Sequence, residues 1–362
     1  MPQEPLSILI HISGVALVLL TLIDFCFTAF IPNKEGLLTR KVSRGVYGIM
    51  FLLAGKKGTS PVLNYMGFAI MFCMSLTWIF SSWAGFTLIF LSDPYSVIHG
   101  TEKYPAEFWD VVYFVGFSLS TSGLGDFVAS TKFWRIVTAL ASVVGIMLIT
   151  MSITYLVPVI SNMIQKRKVS IYLASLGESP EQIVVQSYNG EDFKSLGNHL
   201  GSLAAMVFEY SRNHLSYPIL HYMHNNSPHD NIVLKMCSLD EALNIFLFHI
   251  PEDKRPEMTD LRVIRRALTQ YLSTLKYTAP ADDTPPLPDL DVVAEGTGIA
   301  LRNREDSDIN TIYKGLKKRR GLWLANIREN GYSWEDIRGT KFENNLDQPE
   351  GMAFSYDHKV FH

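Results

Sequence analysis

Nearly all long apolar runs of the chain lie before Lys166, and most of its charge lies after it. The first run, residues 6–30, is long enough to cross about 30 Å of hydrocarbon at about 1.5 Å per residue. No basic stretch precedes it and no small-residue cleavage site follows, so it reads as a retained transmembrane helix rather than a signal peptide. The second run follows Ser60-Pro61, an N-cap residue and a proline at the first helical position, and extends to Leu91 before Asp93-Pro94 stops it. The third starts near Trp134, is free of charge over residues 136–164, and ends at Lys166-Arg167-Lys168. A shorter apolar stretch, residues 46–54, cannot cross. It reads either as a helix lying along the inner membrane surface or as a linker packed on the other helices. Beyond Ser170 helical spacing recurs over residues 193–224, 231–250 and 258–275. A proline-rich acidic linker at 279–291 precedes a last region at 307–338 and a loosely ordered tail from Asn344.

Charge orients the three runs. Lys34, Arg40, Lys41, Arg44, Lys56 and Lys57 lie between the first and second, against Glu35 alone. Asp93, Glu102, Glu107, Asp110 and Asp126 lie between the second and third, with Lys103 and Lys132. The positive-inside rule then puts the N-terminus outside a multi-pass cell-membrane protein and its C-terminal domain in the cytoplasm. Over the whole chain of 362 residues the formal net charge is -3, which gives no reason to expect nucleic acid. The three cysteines, two of them in apolar runs, do not suggest a disulfide framework.

The connection between the second and third runs is partly apolar. Residues 105–118 read PAEFWDVVYFVGFS, with proline and acids near the start as a helix N-terminus prefers. This stretch is too short to cross and return. Non-helical backbone at membrane depth is tolerated only when buried in protein or lining water. A short helix followed by Thr121-Ser122-Gly123-Leu124-Gly125-Asp126 answers that demand. Backbone carbonyls that point one way can replace the water shell of a cation, and such torsions call for glycine at Gly123 and Gly125. The fold expected is an all-α membrane protein: three transmembrane helices with a re-entrant pore helix and filter, then a mainly helical cytoplasmic domain. Its parts are a first helix in 1–31, a cytoplasmic linker with an interfacial helix in 32–60, and a pore domain in 61–168. A helical domain in 169–278, the proline-rich linker in 279–291, and a C-terminal region and tail in 292–362 complete it.

The stretch FWDVVYFVGFSLSTSGLGDFV, residues 108–128, resembles the potassium-channel pore family, and within it the second pore loop of two-pore-domain channels. The resemblance covers about a third of the chain. It implies that Thr121, Ser122, Gly123, Leu124 and Gly125 line ion sites, with K+ as the permeant ion. It also implies that Asp126 lies behind the filter and bonds to a pore-helix aromatic, Tyr113. An outer helix at 61–91 and an inner helix at 133–164 follow from it. Ser122 departs from the family's valine or isoleucine, and Leu124 from its commonest aromatic. The hydroxyl at Ser122 is expected to weaken packing and reduce discrimination between potassium and sodium. With one loop per chain, four chains are needed for one filter, hence a homotetramer.

Two inner-helix residues are gating candidates. Gly145 stands where the family often keeps a hinge, though close helix packing is the alternative. Pro158 removes a helix hydrogen bond and should bend the inner end. Thr150 and Thr154 either face the cavity or bond to their own backbone. Asp24, an acid deep in the first helix, is expected to pair with Arg40, Lys41 or Arg44. His11 is expected to snorkel to the outer surface. No membrane helix has the arginine spacing of a voltage sensor.

In the soluble half His214, His221, His224 and His229 cluster, but ordinary packing explains them better than zinc. The basic stretch Lys314, Lys317, Lys318, Arg319 and Arg320 reads as a solvated helix face or a contact with inner-leaflet lipid. No Gly-x-Gly-x-x-Gly follows a strand, so a nucleotide-binding regulatory domain is not expected, and no catalytic motif points to an enzyme. No cofactor is called for. The partners expected are membrane lipid, further copies of the chain and an unknown cytoplasmic ligand. The reading is a tetrameric potassium-selective channel gated by its inner helices. Its rivals are a weakly selective cation channel and a non-conducting receptor or scaffold.

Overall fold

The computed structural model describes residues 5–31, 34–55, 60–217, 219–220, 231–275, 280–303 and 305–338. The chain divides into two compact units, Met1–Lys168 with Phe208–Asn226, and Val169–Val207 with Ser227–His362. The segment expected as one domain, 169–278, is therefore shared between them.

Among the described residues, three helices are long and apolar enough to cross a membrane. Two are α1 (Pro5–Phe30) and α3 (Met66–Leu91), the latter entered through a tight turn at Pro61–Tyr65. The third is α5 (Lys132–Ala174), which continues through Pro158 and past Lys166-Arg167-Lys168. The sequence reading ended this helix at Ile164. Basic residues end an apolar span, but lysine and arginine are good helix formers, so the backbone continues. Between them lie α2 (Leu37–Leu53) and the short α4 (Phe108–Leu119). Strands β1 (Val97–His99) and β2 (Phe127–Ala129) flank α4 and pair antiparallel, Val97 with Ala129, Ile98 with Val128 and His99 with Phe127.

The three long helices alternate in direction. His11 Nδ1 near the start of α1 hydrogen-bonds Ser92 Oγ just after α3 at 3.0 Å, and Trp134 Nε1 at the start of α5 donates to Asp93 at 2.9 Å. His11 is thus held by a neighbour rather than reaching for water.

Asp24 corrects another expectation. It is buried, and it accepts from Leu38 N at 2.7 Å, Thr39 N at 3.2 Å, Thr39 Oγ1 at 2.7 Å and Trp78 Nε1 at 3.0 Å. Among the described residues no arginine or lysine pairs with it. The carboxylate instead receives the free N–H groups and positive dipole end of α2, a position that favours an anion. Gly36 makes room for it, since a Cβ there would lie 2.0 Å from Asp24 Oδ1. Helix α2 starts at Leu37, nine residues before the apolar stretch, because this cap nucleates it. Its Val42, Val46, Tyr47, Met50 and Phe51 pack on the core formed by Phe25, Ile70, Met74 and Trp78.

The second unit is built around α8 (Ile232–Phe248), where every residue from Ile232 to Phe246 is buried. Around it stand α6 (Pro180–Gln186), α9 (Met258–Thr274), α10 (Leu290–Thr297) and α11 (Asp306–Glu329), with the first part of α7 (Leu196–Ser216). A helix enclosed on all sides must pair its polar groups. Asp240 takes Arg265 Nη1 at 2.7 Å, Arg319 Nε and Nη2 at 2.7 Å, and Trp323 Nε1 at 2.8 Å. Glu241 takes Arg320 at 3.0 Å, and Lys235 pairs with Glu178. Arg319 and Arg320 therefore point inward, which corrects the reading of the basic stretch as a uniform surface. Lys314, Lys317 and Lys318 remain exposed. Arg320 also donates to Pro285 O at 3.1 Å and Pro286 O at 2.6 Å, so the proline-rich stretch is strapped to α11 over its described residues.

Burial alone would push the Asp240 carboxyl up. The Arg265 and Arg319 guanidiniums outweigh it and hold Asp240 below the usual range. At Glu241 burial pushes the carboxyl up, and Arg320 only partly offsets it.

Two outcomes are expected. Asp24→Ala strips the partner from four donors, each about 1–3 kcal/mol to leave unmet, so its melting temperature in detergent should fall sharply. Neutralising Arg40, Lys41 and Arg44 to glutamine should leave melting nearly unchanged. Asp240→Asn should destabilise the chain by about 3–5 kcal/mol near neutral pH. A depressed carboxylate stabilises above its unfolded value and loses that contribution as pH falls through its folded value. The gap to wild type should therefore close below about pH 4, as read by circular dichroism melts.

Candidate functional site

Helix α4 opens on a capping box, in which Asp110 Oδ2 accepts from Glu107 N at 3.0 Å. Its 12 residues span only about 18 Å, roughly half the hydrocarbon thickness. Trp83 Nε1 on α3 donates to Val112 O at 2.8 Å and anchors the helix sideways. At its C-terminal end Ser142 Oγ on α5 donates to Ser118 O at 2.8 Å. The chain then reverses, with Thr121 N bonded to Ser118 O at 3.1 Å and Ser122 N to Phe117 O at 2.9 Å.

Residues 121–125 follow with alternating torsions. Thr121, Gly123 and Gly125 have φ of 59, 58 and 88°, while Ser122 and Leu124 stay on the negative side. In an ordinary strand successive carbonyls point to opposite sides. Alternating left- and right-handed torsions turn them toward one side. Glycine accepts such torsions freely, but Thr121 is a β-branched residue in the left-handed region, a cost of order 1–3 kcal/mol. Sequence reasoning found the two glycines and missed Thr121, since threonine carries no signal for positive φ. All six residues from Thr121 to Asp126 are exposed, and a Cβ at Gly123 or Gly125 would meet nothing within 4 Å.

Asp126 lies at the far end of the segment. Its side chain accepts Phe127 N at 3.1 Å and stands near enough to Tyr113 on α4 to act on its phenol, and its carbonyl accepts Gly100 N at 2.6 Å. Ser122 Oγ pairs with Ser120 Oγ at 2.9 Å, and Leu124 projects outward, 60% exposed.

An ion-channel family model matches residues 62–162, which contain α3, α4, the alternating segment and most of α5. Over 327 residues the chain is 31% identical to an uncharacterized membrane protein, YdjJ, of Bacillus subtilis (strain 168), covering 89% of this chain and 94% of that one. No solved structure matches the chain. The chain belongs to the potassium-channel pore family.

The channel's other predicted site residues are separated from the alternating segment to different degrees. Gly145 lies against the end of α4: a Cβ there would fall 1.9 Å from Leu119 O. Close packing therefore accounts for this glycine, and a hinge would have to open that contact. Pro158 lies further along α5, where its carbonyl accepts Asn162 Nδ2 at 2.8 Å. Thr154 Oγ1 bonds back to Thr150 O at 3.0 Å rather than standing free. His214 belongs to α7, while His221, His224 and His229 lie outside the described residues. Among the described residues no group of histidines, cysteines or acids could hold a metal, and the three cysteines are free.

Gly145→Ala should destabilise the channel by about 1–3 kcal/mol through overpacking against Leu119 O. Gly48→Ala, where a Cβ meets open space within α2, should instead be neutral or stabilising by up to about 1 kcal/mol. Thermal melts of the two variants in the same detergent check the contrast.

Proposed function

We propose that four copies of the chain assemble around one axis into a potassium-selective channel. Carbonyls of residues 121–125 from each copy replace the hydration of a passing ion. The observation that carries this reading is the alternation of left-handed φ at Thr121, Gly123 and Gly125 in a segment left exposed by the single chain. Aligned carbonyls are the oxygens a dehydrated cation needs. At membrane depth such backbone must be enclosed by protein or line water, so further copies supply the enclosure, and cyclic symmetry closes the ring. The C-terminal, partly negative end of α4 favours a cation below the segment. Asp126 and Tyr113 brace it from behind. The basic residues between α1 and α3 support an N-terminus outside the cell and a cytoplasmic second unit.

Helix α5 contributes residues to both units and carries Pro158, whose missing N–H weakens the helix. Gating works through this helix, driven by a ligand or contact of the cytoplasmic unit.

A weakly selective cation channel is the second reading, and Ser122 favours it. Its hydroxyl engages Ser120 where an apolar side chain would pack.

Purified protein in liposomes under a potassium gradient should carry a potassium flux, and a silent, correctly folded tetramer would refute the proposal. Under mixed potassium and sodium, Ser122→Val should raise discrimination roughly tenfold, the effect of about 1.4 kcal/mol at the filter. An unchanged reversal potential would remove the role given to Ser122.

A further inference from the structure

The chain leaves the first unit after Lys168 and returns to it over Phe208–Asn226. The stretches on either side of this return, Val169–Val207 and Ser227–His362, both belong to the second unit. Helix α7 brings the chain back and ends at Ser216. The proline at position 218 disfavours helix at the residue before it, so Tyr217 leaves the spiral. Tyr217 N still bonds Asn213 O at 2.8 Å, and Leu220 N bonds Tyr217 O at 3.0 Å, which keeps the turn tight.

Segments that connect helices usually run over a surface. Here Ile219 and Leu220 are only 2% and 1% exposed. They share one core with Phe25 of α1, Ala54 at the end of α2, Met66 of α3, and Tyr155 and Val159 of α5. This core lies away from the alternating segment. Tyr155 stands about 15 Å further along α5 than Gly145, the residue that meets the end of α4.

The contacts with α5 fall on both sides of Pro158. Before it, the Tyr217 ring meets the Tyr155 ring with centroids 6.1 Å apart. After it, Asn213 Nδ2 donates to Gln165 Oε1 at 2.9 Å. A proline removes one helix bond and is where such a helix bends. A brace attached on both sides of the weak point holds the bend at one angle, so α5 pivots there only if Tyr217 or Asn213 lets go.

The seat also gives a direction. Ile219 and Leu220 fill space in a core that joins α5 to α1, α2 and α3. Protein interiors are close-packed, so the volume vacated by their withdrawal is closed by neighbours moving in. With a weak point at Pro158, the inner end of α5 is the neighbour free to move, and it moves toward the other helices. Where α5 lines an ion path and the others stand outside it, that movement widens the path.

We infer that Asn213, Tyr217, Ile219 and Leu220 form an autoinhibitory wedge. Seated, it braces α5 across Pro158 and keeps ion flow low; withdrawn by a rearrangement of the second unit, to which it is joined at both ends, it lets α5 bend outward and flow rise. This rests on the channel reading above.

The test reads potassium flux from full-length protein in liposomes. Ile219→Ala with Leu220→Ala removes side chains that are buried in the seated state, and so favours the withdrawn one. Flux should rise roughly tenfold, the effect of about 1.4 kcal/mol on that balance. Unchanged or lower flux in a variant that still melts cooperatively would overturn the inference. A second variant avoids truncation and decides the matter if the first fails to fold. In a chain whose Cys26, Cys73 and Cys237 are replaced by alanine, Gln165→Cys and Asn213→Cys are bridged by a short bifunctional thiol reagent. The bridge pins the wedge in its seat, so flux should fall roughly tenfold and recover on reduction. A bridge that leaves flux unchanged or raises it also overturns the inference. A third measurement does not depend on conduction. Leu220→Cys in the same alanine background should react slowly with a maleimide, and Ile219→Ala should speed the reaction roughly tenfold by favouring local opening. Unchanged labelling overturns the wedge. Faster labelling in a protein that carries no flux in any form would strike the channel reading alone.

Discussion

Along an extended chain, left-handed torsions at alternate residues turn carbonyls toward one side, and Thr121, Gly123 and Gly125 of the first unit take such torsions. Such torsions give no ladder of bonds within the segment, so it is fixed by what surrounds it. Its entrance is fixed by α4, whose last carbonyls receive Thr121 N, Ser122 N and the hydroxyl of Ser142. Its far end is fixed by Gly100 and the β1–β2 pair. The strain at Thr121 persists because both ends are held. Glycines at 100 and 145 allow backbone to approach the segment and its helix at distances a Cβ would forbid.

The same physics recurs wherever polar groups are enclosed. In the first unit Asp24 gathers four uncharged donors, joining α1 to the start of α2 and to Trp78 on α3. In the second unit Asp240 and Glu241 lie in a helix buried on every side and gather three arginines and a tryptophan. Neighbouring carboxyls there are shifted in opposite directions, because two guanidiniums outweigh burial at Asp240 and one does not at Glu241. Buried ionic clusters of this kind cost much to break and little to replace as a whole, so they specify which helices meet more than they add stability.

Much of the fold was legible because hydrophobic length is a local property. A run of about 25 apolar residues with at most one charge has one economical state in a bilayer, and α1, α3 and α5 follow directly from such runs. The alternating segment was legible for a related reason: glycine at Gly123 and Gly125 announces the torsions that only glycine adopts cheaply. What could not be read was any property set by a partner distant in sequence. Asp24 looked like half of an ion pair because basic residues lie nearby along the chain, yet its partners are amides of α2 and the indole of Trp78, 54 residues away. Arg319 and Arg320 looked like part of a basic surface because their inward turn depends on Asp240 and Glu241, 79 residues earlier. The end of α5 was misplaced because charge marks the limit of a membrane span and not of a helix. The sequence by itself determined the spans, the reversal and the glycine-dependent torsions, since those follow from the hydrophobicity and backbone freedom of each residue in turn. Only the tertiary structure decided the cap on α2, the inward arginines, the contact under Gly145 and the tie of Gly100 to Asp126, because each is a meeting of two segments whose separation in sequence carries no record of their distance in space.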